Sequence, residues 1–139
     1  VVVGDGPYRK EMAQHIEGSN CLFTGMLQGE DLTAAYASSD LFIFPSTTDT
    51  FGKVVLEAQA SGLPAIVTDM GGPQENIIDG ETGRIVQGED PVALADAVTE
   101  LIADPERLKA MGKHARTYME GRSSAKAFDS AWELYAANH

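Results

Sequence analysis

The sequence predicts an α/β fold with a parallel, doubly wound sheet. The first observation is that short apolar runs alternate with segments of helical periodicity. The runs, which we predict to be strands, are residues 1–3, 21–24, 41–44, 65–68 and 83–86. The second observation is that residues 41–44 are apolar throughout, which is typical of a strand buried on both faces. Strands joined by helices pair in parallel, because each helix carries the chain back to the end of the sheet where the previous strand began.

The helices are predicted from apolar spacing and from the signals at their ends. Pro7 suits a first helical turn, and Gly62 followed by Pro64 suits the end of a helix. The predicted helical segments are residues 7–17, 30–38, 52–60, a short stretch from 73 to 78, then 91–103, 105–119 and 123–137. In such folds ligands bind where strand carboxyl ends meet helix N-termini. The loops of interest therefore follow Val3, Thr24, Phe44 and Thr68.

Composition limits the class of protein. With 139 residues the chain has the size of one domain, and we predict that residues 1–139 form one. The net charge of −11 argues against nucleic acid as a partner. Cys21 has no second cysteine to pair with, so we expect a small core residue in a reducing, cytoplasmic compartment. No run is long enough to span a bilayer.

The distribution of basic residues and the apolar start of the sequence lead to two further expectations. Most bases follow Asp104, where acids are few. This favours a solvated helix surface, and the alternative is contact of the parent protein with an anionic membrane. Because the chain opens inside an apolar strand without methionine, we expect a part of a longer protein.

Several familiar sites are not supported. Gly4-Asp5-Gly6 follows a strand, but Arg9 stands where a dinucleotide fingerprint needs its third glycine, so a tight turn is the better interpretation. No Walker sequence and no Gly-x-Ser-x-Gly elbow occurs. His15 and His114 lie in predicted helices without neighbouring metal-ligand spacing, so we expect no metal.

The run STTDTFGKVVLEA, residues 46–58, is the most informative loop. It leads from a strand into a helix that starts near Phe51-Gly52. The amides of about residues 51–54 then lack intrahelical partners and form an anion site. Gly52, which has no Cβ, allows close approach of a ligand to the main chain. Asp49 lies just before this helix and Glu57 lies about one and a half turns inside it.

Glu57 has two candidate partners, because a carboxylate among apolar residues needs one. The first is Lys53, four residues earlier, in an ordinary helix ion pair. The second is a pair of ligand hydroxyls, since a carboxylate accepts two hydrogen bonds at once, as when an acid holds a ribose. Spacing alone does not separate the two.

The run FIFPSTTDTFGKVVLEAQASGLPAIVTDMGGPQENI closely resembles the C-terminal, Rossmann-like, nucleotide-sugar-binding domain of retaining glycosyltransferases of family 4, which have the GT-B architecture. The resemblance extends to VVVGDGP and FTG before it and to DGETGRIV after it, and covers about residues 1–90. The C-terminal helices fit the family in length and order.

The resemblance implies a role for each site residue. Glu57 would bind the ribose hydroxyls, which favours the ligand interpretation over the Lys53 ion pair. Asp49, the predicted catalytic residue, would sit by the transferred sugar and position its hydroxyls near the reacting carbon; the family usually has Glu there, one methylene longer. Backbone amides would hold the diphosphate or the sugar, and a second loop would contact the base. The amides are those of Thr50, Phe51, Gly52 and Lys53, and the second loop is Gly25, Met26 and Leu27.

The resemblance also implies partners. The parent enzyme would transfer a hexose from a nucleoside diphosphate sugar to a glycan, lipid or small-molecule acceptor, without a cofactor or metal. It would be cytoplasmic and could contact the inner face of the membrane. The family's Arg/Lys pair, in a preceding βα unit, and its N-terminal acceptor domain are not in this chain. The alternatives are a non-transferring GT-B enzyme, such as a nucleotide-sugar epimerase, and a non-catalytic binding module.

Overall fold

Strands and helices alternate along residues 1–122, the part of the chain that the computed structural model describes. The predicted helix at 123–137 lies outside the described residues. The strands are β1 (Val2–Val3), β2 (Phe23–Gly25), β3 (Phe42–Phe44), β4 (Ala65–Thr68) and β5 (Gly83–Val86). The α-helices are α1 (Arg9–His15), α2 (Gly29–Ala37), α3 (Lys53–Ala60), α4 (Pro91–Ile102) and α5 (Pro105–Gly121), with a 3-10 helix at Pro73–Asn76.

The chain divides into two units, Val1–Ala35 and the residues from Tyr36 onward. In the first unit β1 and β2 pair in parallel, with Val2 opposite Phe23. Cys21 precedes β2 and is exposed, so the expectation of a buried cysteine is wrong. The strand begins two residues later than predicted, which leaves Cys21 outside the pairing.

In the second unit β3, β4 and β5 form a parallel sheet in that order. β4 is buried along its whole length, because alternate residues face helices on opposite sides. Ala65 and Val67 pack with Val55 of α3, whereas Ile66 packs with residues of α4 and α5. Helices therefore cover both faces, and the α/β class with a parallel, doubly wound arrangement is confirmed.

The outer strand β3 differs from expectation. Ile43 is 42% exposed, so the prediction that residues 41–44 are buried on both faces is wrong at this position. β3 hydrogen-bonds to one neighbour, β4, in the sheet of its unit. An apolar run does not distinguish an edge position from a central one.

The last two described helices each begin at an aspartate N-cap. Asp90 accepts from the amides of Val92 and Ala93, and Asp104 accepts from the amide of Arg107. Each cap is followed by a proline in the first turn. We find no described helix with the length and hydropathy needed to cross a membrane.

Candidate functional site

Residues 45–52, which we call the site loop, connect β3 to α3 and are anchored at Ser46. Thr68, the last residue of β4, donates its hydroxyl hydrogen bond to the Ser46 carbonyl at 2.7 Å. The Ser46 hydroxyl accepts from the amide of Asp49 at 3.2 Å. Because Thr68 is buried on the middle strand of this sheet, the site loop is fixed to the carboxyl end of β4.

Asp49 caps the turn before α3 with its own side chain. Its Oδ1 accepts from the amides of Phe51 at 2.9 Å and Gly52 at 2.5 Å. Amide bonds to a carboxylate are charge-assisted, so they hold this turn firmly. The sequence predicts that these two amides lack intrahelical partners and belong to an anion site. In the structure Asp49 accepts from both, so they are not free to bind an anion.

Three neighbouring amides have no hydrogen-bond partner within the described part of the chain. Gly52 has a left-handed backbone (φ 75°), and its carbonyl accepts the first helical bond from Val55 at 2.9 Å. As far as residues 1–122 are concerned, the amides of Thr50, Lys53 and Val54 make no hydrogen bond. The last two belong to the positive end of the α3 dipole, which favours anions. The candidate anion site is therefore shifted toward the helix relative to the sequence prediction.

A second loop, residues 69–72 after β4, packs directly on the site loop, and we call it the glycine loop. The Gly72 amide donates to the Asp49 carbonyl at 3.0 Å. A Cβ at Gly72 would overlap the Thr50 carbonyl oxygen, and one at Gly52 would lie 2.8 Å from Cα of Pro73. Glycine is thus needed at both contacts, because the two backbones touch without an intervening side chain.

Asn76 and Gln59 link the site loop to the two helices that follow it. The Asn76 amide group donates to the Phe51 carbonyl at 2.6 Å. Gln59 of α3 donates to the Asn76 carbonyl at 2.8 Å, and both residues are buried. Sequence reasoning missed both residues. Gln59 carried a signal, since it lies between two alanines of a predicted helix, whereas Asn76 follows two polar residues and carried none.

Glu57 has two partners among the residues that the structure describes. Its Oε1 lies 3.7 Å from Nζ of Lys53, and their side chains are 37% and 80% exposed respectively. An ion pair this open contributes less than about 1 kcal/mol. Its Oε2 accepts from the Tyr36 hydroxyl at 3.3 Å. The predicted Lys53 pair therefore exists, and Tyr36 is a second partner that the sequence analysis missed.

Tyr36 is neutral at physiological pH. Its partial burial, then the negative charge of Glu57 and then the hydrogen bond between them raise the pKa of Tyr36 to about 12. The phenol therefore acts as a hydrogen-bond donor to Glu57 over the whole physiological range.

The description of the matching family model is glycosyl transferases group 1, and the match covers residues 1–118. This is most of the 139 residues. The chain belongs to the glycosyl transferases group 1 family.

Two curated relatives of this group 1 chain are named as transferases of different sugars. The sulfoquinovosyl transferase of Arabidopsis thaliana is 40% identical over 121 residues, which is 85% of this chain and 24% of that protein. A GDP-mannose-dependent alpha-mannosyltransferase of Mycolicibacterium smegmatis is 42% identical over 108 residues, 77% of this chain and 28% of that protein. The chain thus spans about a quarter of the length of each.

A solved structure supports the fold of this group 1 domain. Sucrose-phosphate synthase from Thermosynechococcus elongatus superposes with a TM-score of 0.80 at 28% identity. The superposition covers 99% of this chain and 38% of the synthase. The fold is that of a GT-B glycosyltransferase C-terminal domain.

The remaining predicted residues of this group 1 chain lie in the first unit. Gly25 ends β2 with φ 73°, Met26 is 68% exposed and Leu27 is half-buried. The Gly25 carbonyl accepts from the Gly4 amide at 2.8 Å. The role of this segment toward a base stays a prediction. Among residues 1–122, no group of three or more His, Cys, Asp or Glu side chains is placed to hold a metal ion.

Proposed function

We propose that this chain is the donor-binding domain of a retaining glycosyltransferase of family 4. The full-length protein would transfer a hexose from a nucleoside diphosphate sugar to an acceptor. One observation carries the proposal: Asp49 lies just before α3 and Glu57 lies in its second turn, and the first amides of α3 have no hydrogen-bond partner within residues 1–122. The group 1 relatives named above act on sugars, and one is named for its dependence on GDP-mannose.

Glu57 is the residue that we assign to the ribose. Its side chain is 37% exposed, and its only charged partner within residues 1–122 is the open Lys53 pair. Two ribose hydroxyls can therefore donate to the carboxylate without breaking a buried bond. The unpaired amides of Lys53 and Val54, rather than those of Phe51 and Gly52, are the donors that we assign to the diphosphate.

Asp49 is the acid that we assign to the transferred sugar. Oδ1 accepts from two amides, and Oδ2 makes no hydrogen bond within residues 1–122. One oxygen thus orients the carboxylate, and the other can accept from a sugar hydroxyl. Aspartate suits both roles, because the side chain of an acid just before a helix reaches the backbone amides two and three residues further on.

During transfer, negative charge develops on the departing diphosphate and positive charge develops on the sugar. Fixed amides at the start of α3 stabilise the diphosphate without rearranging during the reaction. The Asp49 carboxylate, held by two amides, places a fixed negative charge beside the sugar. A charged pair from a preceding βα unit, as in the related family, would complete the neutralisation of the diphosphate.

We expect Glu57→Gln to weaken nucleotide binding by about 1.5–3 kcal/mol, the scale of a hydrogen bond to a charged group. Titration calorimetry of the full-length protein with UDP, GDP and ADP measures the loss. The melting temperature without ligand should hardly change, because the Lys53 pair is open.

Glu120→Gln is the matched control for Glu57→Gln. It removes an exposed helix ion pair, with Arg116 at 3.1 Å, on a different helix. We expect it to leave both affinity and melting temperature unchanged. A Glu57→Gln protein that melts several degrees lower but binds nucleotide normally would assign Glu57 to the Lys53 pair instead.

Turnover of the full-length protein is expected to need no divalent metal. The reason is that amides and side-chain cations, not a bridging ion, are assigned to the diphosphate in this proposal. Product formation with EDTA should equal that without it. Loss of activity in EDTA, restored by Mg²⁺ or Mn²⁺, would contradict this.

The reaction itself is tested with the full-length protein and a panel of UDP-, GDP- and ADP-sugars. Mass spectrometry detects a glycosylated acceptor, and proton NMR reports the configuration of the new bond. We expect an α-linked product from an α-linked donor. An isomerised nucleotide sugar without acceptor product would indicate an epimerase, and binding without any conversion would indicate a binding module. Either result would contradict the proposal.

A further inference from the structure

Tyr36 brings a firmly held hydroxyl to Glu57. It lies in the last turn of α2, and its ring packs edge-on against Phe42 of β3, with centroids 5.8 Å apart and planes at 63°. Phe42 in turn stacks on Phe44, with centroids 6.1 Å apart. The ring therefore packs on Phe42, which itself stacks on Phe44, and the Tyr36 hydroxyl is 3.3 Å from Oε2 of Glu57.

The two partners of Glu57 differ in how well they can hold it. Lys53 is 80% exposed and reaches Oε1 only at 3.7 Å, so its long side chain costs more entropy to fix than the contact returns. Tyr36 has two side-chain torsions, and the ring contact with Phe42 restricts both. The tyrosine is thus the partner that can set the direction of the carboxylate.

We propose that Tyr36 is a positioning residue that holds the Glu57 carboxylate in the orientation that accepts the ribose hydroxyls. The inference rests on the proposed function, since it assigns a supporting contact to the same donor site. The phenol donates to one carboxylate oxygen and leaves Oε1 and the second lone pair of Oε2 for the ligand.

Two features suit Tyr36 to this task. It is a neutral donor at physiological pH, since its pKa is raised to about 12, so it supports the ionised carboxylate without forming a competing ion pair. Its support comes from the sheet and not from the site loop, so the hydroxyl stays in place when the loop contacts a ligand. A carboxylate fixed before binding loses less side-chain entropy when the ribose arrives.

The test compares two ligands of the full-length protein, a nucleoside diphosphate and its 2′,3′-dideoxy analogue. Tyr36→Phe removes the hydroxyl and keeps the ring on Phe42. We expect it to weaken binding of the ribose-containing nucleotide about 2- to 10-fold, the range for one hydrogen bond. Binding of the dideoxy analogue, which offers Glu57 no hydroxyl, should not change. A purely structural tyrosine would affect both nucleotides equally.

Three further variants sharpen the result. Tyr118→Phe is the matched control, because it removes a phenol hydroxyl that accepts from Arg122 at 2.6 Å on α5. It should leave both affinities unchanged. p-Aminophenylalanine at position 36 restores a donor and should restore the preference for ribose. The double variant Tyr36→Phe/Glu57→Gln should bind no more weakly than Glu57→Gln alone, because the tyrosine acts through Glu57.

The outcomes separate this inference from the proposed function. If the unmodified protein prefers the ribose nucleotide and Tyr36→Phe keeps that preference, the positioning role is overturned and the ribose site stands. If the unmodified protein binds the two nucleotides equally, both are overturned. Should Tyr36→Phe fail to fold by circular dichroism, p-methoxyphenylalanine at position 36, which cannot donate, takes its place in the same comparison.

Discussion

Replacing Gly72 with alanine is expected to destabilise the protein by about 1–3 kcal/mol or more and to abolish nucleotide binding. The new Cβ would overlap the Thr50 carbonyl oxygen and lie 3.0 Å from the Phe51 amide nitrogen. Both are backbone atoms, so no side chain can rotate away. The site loop would have to move, and with it the bonds between Asp49 and the amides before α3.

Chemical denaturation and titration calorimetry measure the two effects of Gly72→Ala. Gly121→Ala is the control, since a Cβ at Gly121 would meet no atom of residues 1–122 within 4 Å and the residue ends α5. An alanine there should be neutral or stabilise the helix by up to about 1 kcal/mol. If Gly72→Ala bound nucleotide normally, the close packing of the glycine loop on the site loop would have no part in the site.

The isolated 139-residue chain is expected to fold and to transfer no sugar. Its core supports folding, since α3 covers one face of β4 and α4 with α5 cover the other. In the proposed enzyme, however, a second domain would orient the acceptor, and orientation supplies about 7–11 kcal/mol of a barrier. At the proposed site the amides and dipole of α3 would contribute about 0.3–1 kcal/mol to diphosphate binding, as at an exposed helix end.

A radiolabelled-donor assay on the isolated chain and on the full-length protein measures this difference. Circular dichroism of the isolated chain is the control for folding. We expect weak nucleotide binding and no detectable product from the isolated chain. Transfer by the 139 residues at a rate near that of the full-length protein would overturn the assignment of a donor-binding domain.

The order and type of the elements could be predicted from the sequence, because apolar runs bounded by glycine or proline are strong local signals. β4 and β5 match the predicted residues 65–68 and 83–86. Helix ends were less predictable. α1 is confined to Arg9–His15 rather than 7–17, and α5 continues to Gly121 rather than 119. The residues at which a helix begins and ends depend on tertiary contacts that a local sequence pattern does not contain.

The site was predictable where it is local in sequence. Asp49 lies in the loop before α3 and Glu57 in the second turn of α3, and these positions follow from the order of residues. The contacts of Tyr36 with Glu57, and of Asn76 with Phe51, join segments 21 and 25 residues apart. Helical spacing could place Tyr36 on an apolar face, but it could not choose the partner of its hydroxyl.

The cap made by Asp49 was missed for a different reason. A carboxylate just before a helix can turn back to the helix amides or face a ligand, and both uses have the same sequence. The structure shows the first use for Oδ1. Only the three-dimensional position of each oxygen shows that the two uses can coexist in one side chain.

A crystal structure of the full-length protein with a bound nucleoside diphosphate tests the central claim most directly. We predict both ribose hydroxyls within about 2.6–3.2 Å of the Glu57 carboxylate, and a phosphate oxygen at the amides of Lys53 and Val54. Tyr36 should still donate to Oε2. A nucleotide bound away from the start of α3, with Glu57 contacting only Lys53 and Tyr36, would contradict the account.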